Sequence, residues 1–203
     1  MSTHAAGLIN AVPNIEKLRY LELGCAGGGT FCNVRASSKD AVDFACGPPP
    51  GVGGFFAGKT DDFFGGIADP SVRNWDVVFI DAGHMLENVV RDYENSRKHL
   101  APGGYIFLHD LWPPNEGFTT PNWCGDGYKL LMWLVKNGAK IATLDTDYGL
   151  TCVREPFLVR EHDAPWLFKN PSVAVFEAAM QDEEYQRLSN DEMIAWIQKE
   201  LSA

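Results

Sequence analysis

Short apolar runs and longer stretches with helical spacing take turns along this chain. The first run, residues 18–23, is rich in strand formers and halts at four glycines within six positions, Gly24-Cys25-Ala26-Gly27-Gly28-Gly29. That switch suits a buried parallel strand feeding a tight turn on which a ligand lies against bare backbone. Residues 39–44 and 55–60 read as the second and third strands. The fourth, 75–81 (Trp-Asp-Val-Val-Phe-Ile-Asp), is apolar on both faces, and 105–108 is the fifth. Between these last two, Leu86, Val89, Val90, Tyr93 and Leu100 recur at helical spacing over 84–100, and Pro102-Gly103-Gly104 closes the helix.

Beyond the fifth strand the pattern changes. Residues 111–127 form a long loop with Trp112 and Trp123, and 128–135 reads as a helix closed by Asn137-Gly138. Residues 139–144 and 150–154 read as an antiparallel hairpin joined through Asp145-Thr146-Asp147-Tyr148-Gly149. Ser189-Asn190-Asp191-Glu192 is a capping box for a last amphipathic helix carrying Met193, Ile194, Trp196, Ile197 and Leu201. The remaining segments are weaker. Residues 1–16 suit a helix or arm broken at Pro13, 30–38 at most two helical turns, and 61–64 a turn or short helix. The Pro/Gly-rich stretch 46–54 is a loop where doubly wound proteins place a helix. Strands alternating with helices predict a single α/β domain: Rossmann-like, doubly wound, mostly parallel, with a C-terminal antiparallel hairpin. Its parts are an arm over 1–17, a core over 18–154 and an extension over 155–203.

Composition narrows the function. At 203 residues and 45% hydrophobic, the chain suffices for one substantial core and not for two. A net charge of −10 argues against tracking a nucleic-acid backbone or an anionic membrane. Five scattered cysteines without a CxxC pair read as reduced thiols in a cytoplasmic protein. The first ten residues lack the basic and apolar regions of a signal peptide, and no apolar run is long enough to span a bilayer. The partner expected is a small molecule, with a homo-oligomer left open by the apolar face of the last helix.

Candidate chemistry gathers at strand ends. Glu22 stands two places before the first glycine, and Asp43 ends the second strand nineteen residues after Gly24. Two carboxylates flanking a glycine turn suit a ligand with a cationic head and a ribose diol, hence an adenosyl cofactor. Residues 24–30, Asp43, Asp61, Asp81 to His84, and His109-Asp110 follow five successive strands. Ligands of such sheets bind beyond the carboxyl ends of the strands, so these clusters should meet at one edge. Plainer roles exist for each: Asp43 as a turn cap, His84 as a helix-start residue, His109 as a prop for Asp110. Trp112 and Trp123 suit either a substrate lid or a pinned surface, Lys129 a solvated helix face, and Cys25 a small filler.

The same residues resemble the class I S-adenosylmethionine-dependent methyltransferases, in particular the small-molecule O-methyltransferase branch with the macrocin O-methyltransferase and cephalosporin hydroxylase-like proteins. Four stretches carry the resemblance: Leu21-Glu22-Leu23-Gly24 with Gly28-Gly29-Thr30-Phe31; Phe79-Ile80-Asp81-Ala82-Gly83-His84; Pro102-Gly103-Gly104-Tyr105-Ile106-Phe107-Leu108-His109-Asp110; and Gly125-Asp126-Gly127-Tyr128-Lys129 with Asp145-Thr146-Asp147-Tyr148-Gly149. It implies that Glu22, Gly24 and Gly28 lie along the methionine part of S-adenosylmethionine and that Asp43 accepts from the ribose hydroxyls. Thr60, Asp61 and Asp62 would lie near adenine, with Cys25, Thr30, Phe31 and Asp81 completing the set. The chain departs from the family at Ala26, where the turn usually has glycine, at Gly83, where a second acid is common, and over 47–54.

Methyl transfer to a hydroxyl needs an aligned nucleophile that loses its proton. His84 or His109 can act as the base beside Asp81. Alternatively Asp81 and Asp110, with His109, can hold a Mg²⁺-type cation that lowers the hydroxyl pKa. The implied activity is methylation of a hydroxyl on a small molecule or sugar. The rivals are an NAD-type oxidoreductase, whose turn wants glycine at Ala26, and a cofactor-binding assembly module without chemistry.

Overall fold

The computed structural model describes residues 3–67, 75–154, 172, 174 and 187–199. Five parallel strands come first: β1 (Arg19–Leu23), β2 (Ser38–Asp43), β3 (Gly54–Ala57), β4 (Trp75–Ile80) and β5 (Leu100–Leu108). The hairpin β6 (Lys140–Leu144) and β7 (Thr151–Arg154) follows, and β7 inserts antiparallel between β5 and β6. A two-residue strand, β8 (Arg187–Leu188), adds parallel to β6. The sheet order is β3-β2-β1-β4-β5-β7-β6-β8.

Side chains alternate across the central strands and so build two cores, one on each face. Leu21, Leu23, Val78, Ile80, Ile106 and Leu108 point to the face covered by α2 (Thr60–Gly65), α3 (Leu86–Lys98) and α4 (Tyr128–Lys136). Tyr20, Val77, Phe79, Tyr105 and Phe107 point to the face covered by α1 (Thr3–Ile9) and α5 (Asn190–Lys199). The apolar side of α5, Met193 and Ile197, is buried within the chain itself, so that face docks in cis. Its capping box forms: Ser189 N–H donates to Glu192 Oε2 at 2.8 Å, and Glu192 N–H reaches Ser189 Oγ at 3.5 Å. Leu201 lies outside the described residues.

Several sequence expectations change in detail. Residues 30–38 hold only one 3₁₀ turn, Phe31–Asn33, because Val34 is already extended at ψ 131°. The third strand stops at Ala57, and Thr60 opens α2. The helix α3 ends at Lys98, four residues before Pro102, and Pro102-Gly103-Gly104 runs inside β5 with Gly103 at φ 76°. Lys129 is not solvated: it is 3% exposed and bound to Asp126 Oδ2 at 2.7 Å, since α4 is apolar nearly all round. The loop 46–54 has no helix, as its prolines dictate, and Pro49 packs on Gly28 of the glycine turn.

Candidate active site

The glycine turn lies between β1 and the end of β4. Gly24, at φ 83°, is pressed against the chain after β4, where a Cβ would collide with the Asp81 carbonyl. Ala26 keeps the left-handed conformation its glycine counterpart would take, at φ 41°, so the turn survives the substitution at a cost in strain. Asp43, 9% exposed, ties the turn to β2. Its Oδ2 accepts Ala26 N–H at 2.8 Å, and its Oδ1 accepts Ala45 N–H at 2.7 Å and Cys46 N–H at 3.1 Å. Asp43 therefore caps the next turn and faces the glycine loop at once. Glu22 is 2% exposed and accepts the Tyr20 hydroxyl at 2.6 Å. Burial pushes its carboxyl up to about 8 against the opposing pull of that hydrogen bond. Cys25 is buried beside it, and burial raises its thiol to about 12, as befits a filler and not a nucleophile.

Next to this turn the ends of β4 and β5 bring Asp81, His84, His109 and Asp110 together. Backbone bonds set the register: Asp81 N–H donates to Leu23 O at 2.8 Å and His109 N–H to Ile80 O at 3.0 Å. Asp110 sits at φ 62°, a left-handed position that Asp tolerates and that recurs at functional sites. His84 Nε2 lies 3.7 Å from Asp81 Oδ1 and 3.4 Å from Asp110 Oδ2. His84 Nδ1 bonds the Trp123 carbonyl. One atom each of Asp81, His84 and Asp110 lie within 4.8 Å of one another, close enough to share one cation.

His109 is differently placed. Its Nδ1 is 3.2 Å from Asp110 Oδ1 and 3.5 Å from Asp81 Oδ1, while its Nε2 is 3.4 Å from Asp147 Oδ2. The contacts are those of an ion pair more than of aligned hydrogen bonds. Burial draws the imidazole pKa down, but Asp110, Asp147 and Asp81 outweigh it and push it up to about 12. The Asp81 hydrogen bond likewise raises His84 against burial, and the two histidines hold Asp81 below the usual carboxylate value despite its burial. The three carboxylates thus favour the protonated, imidazolium form of His109.

The adenine-side candidates are partly engaged elsewhere. Thr60 hydrogen-bonds Asp92 of α3, and Asp61 Oδ1 pairs with Arg91 at 3.0 Å; Asp62 lies in the first turn of α2, where its carbonyl accepts Gly66 N–H at 3.0 Å. On the far side of the acid cluster, a cleft of about 600 Å³ opens between Trp112, Asp147, Tyr148 and Arg187, with the Arg187 guanidinium 4.4 Å over the Trp112 ring. Phe118, Trp123 and Tyr148 cluster at 5.0–6.4 Å between ring centroids, joining the 111–127 loop to the β6–β7 turn. Sequence reasoning did not place Asp147 beside His109 or Asp126 beside the start of α3. Asp147 arrives at His109 only because β6 is parallel to β5 and ends at the same edge, which its position in a long polar turn could not show.

Residues 21–111 match the model of a methyltransferase domain family. No curated protein matches the chain by sequence. Among solved structures, the O-methyltransferase from Bacillus cereus in complex with SAH is 18% identical, with a TM-score of 0.55 over 76% of this chain and 82% of that one. The O-methyltransferase TomG from Streptomyces achromogenes, of tomaymycin synthesis and in complex with SAM, is 15% identical, with a TM-score of 0.56 over 76% and 80%. MycE methyltransferase of the mycinamycin pathway, in complex with Mg and SAH, is 18% identical, with a TM-score of 0.52 over 77% of this chain and 51% of that one. The antiparallel β7 between β5 and β6 also departs from the 3-2-1-4-5-6 order of dinucleotide-binding dehydrogenases. Over residues 21–111 the chain is thus similar to a methyltransferase domain, and it shares the fold of these O-methyltransferase structures.

Proposed function

We propose that the chain transfers a methyl group from S-adenosylmethionine to a hydroxyl of a small molecule, at the cluster formed by Asp81, His84 and Asp110. The observation that carries this is the meeting of three acceptor atoms from two strand ends beside a glycine turn. S-adenosylmethionine would supply a methyl group on a sulfonium, and a divalent cation of the Mg²⁺ type would lower the acceptor hydroxyl's pKa.

The residues present fit both groups. Glu22 is a buried carboxylate held protonated up to about pH 8, so a cationic ligand beside it stabilises its ionised form. Asp43 uses three lone pairs on backbone N–H groups and keeps one on Oδ2 toward the turn. Gly24, Gly28, Cys25, Thr30 and Phe31 would line the methionine end, and Thr60, Asp61 and Asp62 the adenine side. For the cation, His84 replaces His109 as the third ligand beside Asp81 and Asp110. Its Nδ1 hydrogen bond to a backbone carbonyl is the usual outer contact of a metal-binding histidine.

His109 acts as a fixed positive charge that keeps Asp81, Asp110 and Asp147 converged. His84 presents Nε2 to the acceptor side, as ligand when the cation is bound and as proton acceptor otherwise. The cleft beside Trp112 and Tyr148 holds the acceptor and sheds water from it. Five unpaired thiols agree with a reducing, cytoplasmic setting.

The test is calorimetry with S-adenosylmethionine and with NAD, followed by S-adenosylhomocysteine release against a panel of hydroxylated acceptors. Binding of the first and not the second is expected, with turnover falling about tenfold or more on chelation and returning with Mg²⁺. Binding of NAD alone would reject the reading, and turnover unchanged by chelator would reject the cation.

A further inference from the structure

The last part of the 111–127 loop holds His84 at two points and the start of α3 at a third. The Trp123 carbonyl accepts from Nδ1, and Gly125 at φ 59° leaves no room for a Cβ against the His84 carbonyl. Asp126 then reaches two residues past His84, where its Oδ1 accepts Leu86 N–H at 2.6 Å. That N–H belongs to the first turn of α3, whose N-cap residue, Met85, offers no side-chain acceptor. The cap for this helix therefore comes from 40 residues away. The other oxygen of Asp126 accepts from Nζ of Lys129, a buried lysine in the first turn of α4, at 2.7 Å. Cys124 Sγ stands 3.9 Å from Asp110 Oδ1, so the same five residues touch both sides of the acid cluster.

These contacts choose which ring nitrogen of His84 is offered to the site. A neutral imidazole that donates from Nδ1 to a carbonyl carries its lone pair on Nε2. Nε2 is the atom 3.4–3.7 Å from Asp110 and Asp81. The other tautomer would set the Nδ1 lone pair against the Trp123 carbonyl oxygen, two acceptors facing each other with no proton between them.

We propose that Asp126 is a positioning residue: by bonding Leu86 N–H and Lys129 it locks residues 123–127 onto the start of α3 and keeps the Trp123 carbonyl on His84 Nδ1. This rests on His84 serving the methyl transfer proposed above. It adds that the loop bordering the acceptor cleft also sets the tautomer of the residue that handles the acceptor hydroxyl. Asparagine at this position retains an oxygen for Leu86 N–H, glutamate retains the charge for Lys129 but displaces the acceptor, and alanine does neither.

The experiment compares Asp126→Ala, Asp126→Asn and Asp126→Glu with the parent. Long-range ¹H–¹⁵N spectra of the histidine rings, with His84 assigned through His84→Gln, report which nitrogen bears the proton at alkaline pH. The parent and Asp126→Asn should show the Nδ1–H form, and Asp126→Ala and Asp126→Glu a mixture. Turnover should fall by about tenfold or more in the alanine and glutamate variants, with cofactor affinity within about threefold and asparagine restoring most of the loss. If alanine prevents folding, the glutamate variant decides. An unchanged His84 spectrum in the displaced variants, or equal loss of turnover in asparagine and alanine, overturns the proposal. The spectra stand without any acceptor, so they separate its failure from failure of the proposed activity.

Discussion

Replacing Asp43 by alanine removes the side chain that, beside the Gly24 N–H to Val42 carbonyl bond, joins the glycine turn to the end of β2. Three backbone N–H donors lose a charged acceptor at 2.7–3.1 Å. Each such bond contributes about 1.5–3 kcal/mol where water is excluded. Ala26 and Ala45 are exposed, however, and water replaces the carboxylate at their N–H groups. The loss is therefore well below the sum, about 2 kcal/mol, and comes mainly from untying the two segments. Urea unfolding followed by tryptophan fluorescence measures it. Asp43→Asn keeps an acceptor for Ala45 and Cys46 but turns its amide toward Ala26 N–H, so about half the loss is expected. A loss below about 0.5 kcal/mol for alanine would refute the structural account. Cofactor affinity, measured on the folded fraction, tests the ribose assignment separately: if Asp43→Ala binds S-adenosylmethionine as the parent does, that assignment is rejected.

Two neighbouring turn positions should respond with opposite signs. Gly24→Ala drives a Cβ into the Asp81 carbonyl at a left-handed φ and should cost about 3 kcal/mol or more, whereas Ala26→Gly relieves strain at φ 41° and should gain about 0.5 kcal/mol, both read by thermal unfolding. A tolerated Gly24→Ala would refute the close approach of β1 to β4. A pH test applies to Asp92, 2% exposed, whose carboxyl burial raises from 3.8 to about 6 despite its bond to Thr60. The folded chain holds this proton more tightly than the unfolded one. The group's contribution is thus present below about pH 4 and lost as pH rises through about 6, a fall of about 3 kcal/mol at most. Asp92→Asn should remove that fall and be the more stable protein at pH 8; an unchanged pH profile in urea titrations would contradict it.

Much of the framework was legible in the residues. Apolar runs at 18–23 and 75–81 are strands because only buried parallel strands tolerate apolar side chains on both faces, and the glycines after the first mark a turn with positive φ at Gly24 and Gly28. The capping box at Ser189 and the hairpin around residues 145–149 are equally local, written in neighbours three or four positions apart. From these follow the strand ends at which Asp43, Asp81 and Asp110 stand.

Pairing between distant groups was not legible. That His109 is ringed by Asp81, Asp110 and Asp147, while His84 faces the Trp123 carbonyl, depends on β6 ending at the same sheet edge as β5, across β7, and on where a loop without periodic pattern crosses the start of α3. Hydrophobic periodicity reports which face of an element is buried, and turn residues report where the chain bends. Neither reports which of several carboxylates approaches a given imidazole, and that distance decides whether the ring is a fixed cation or an available base. Sequence alone determined the elements and the edge at which the polar residues gather; the strand order and loop path decided their partners, because electrostatic roles are set by separations of a few ångströms between segments far apart in the chain.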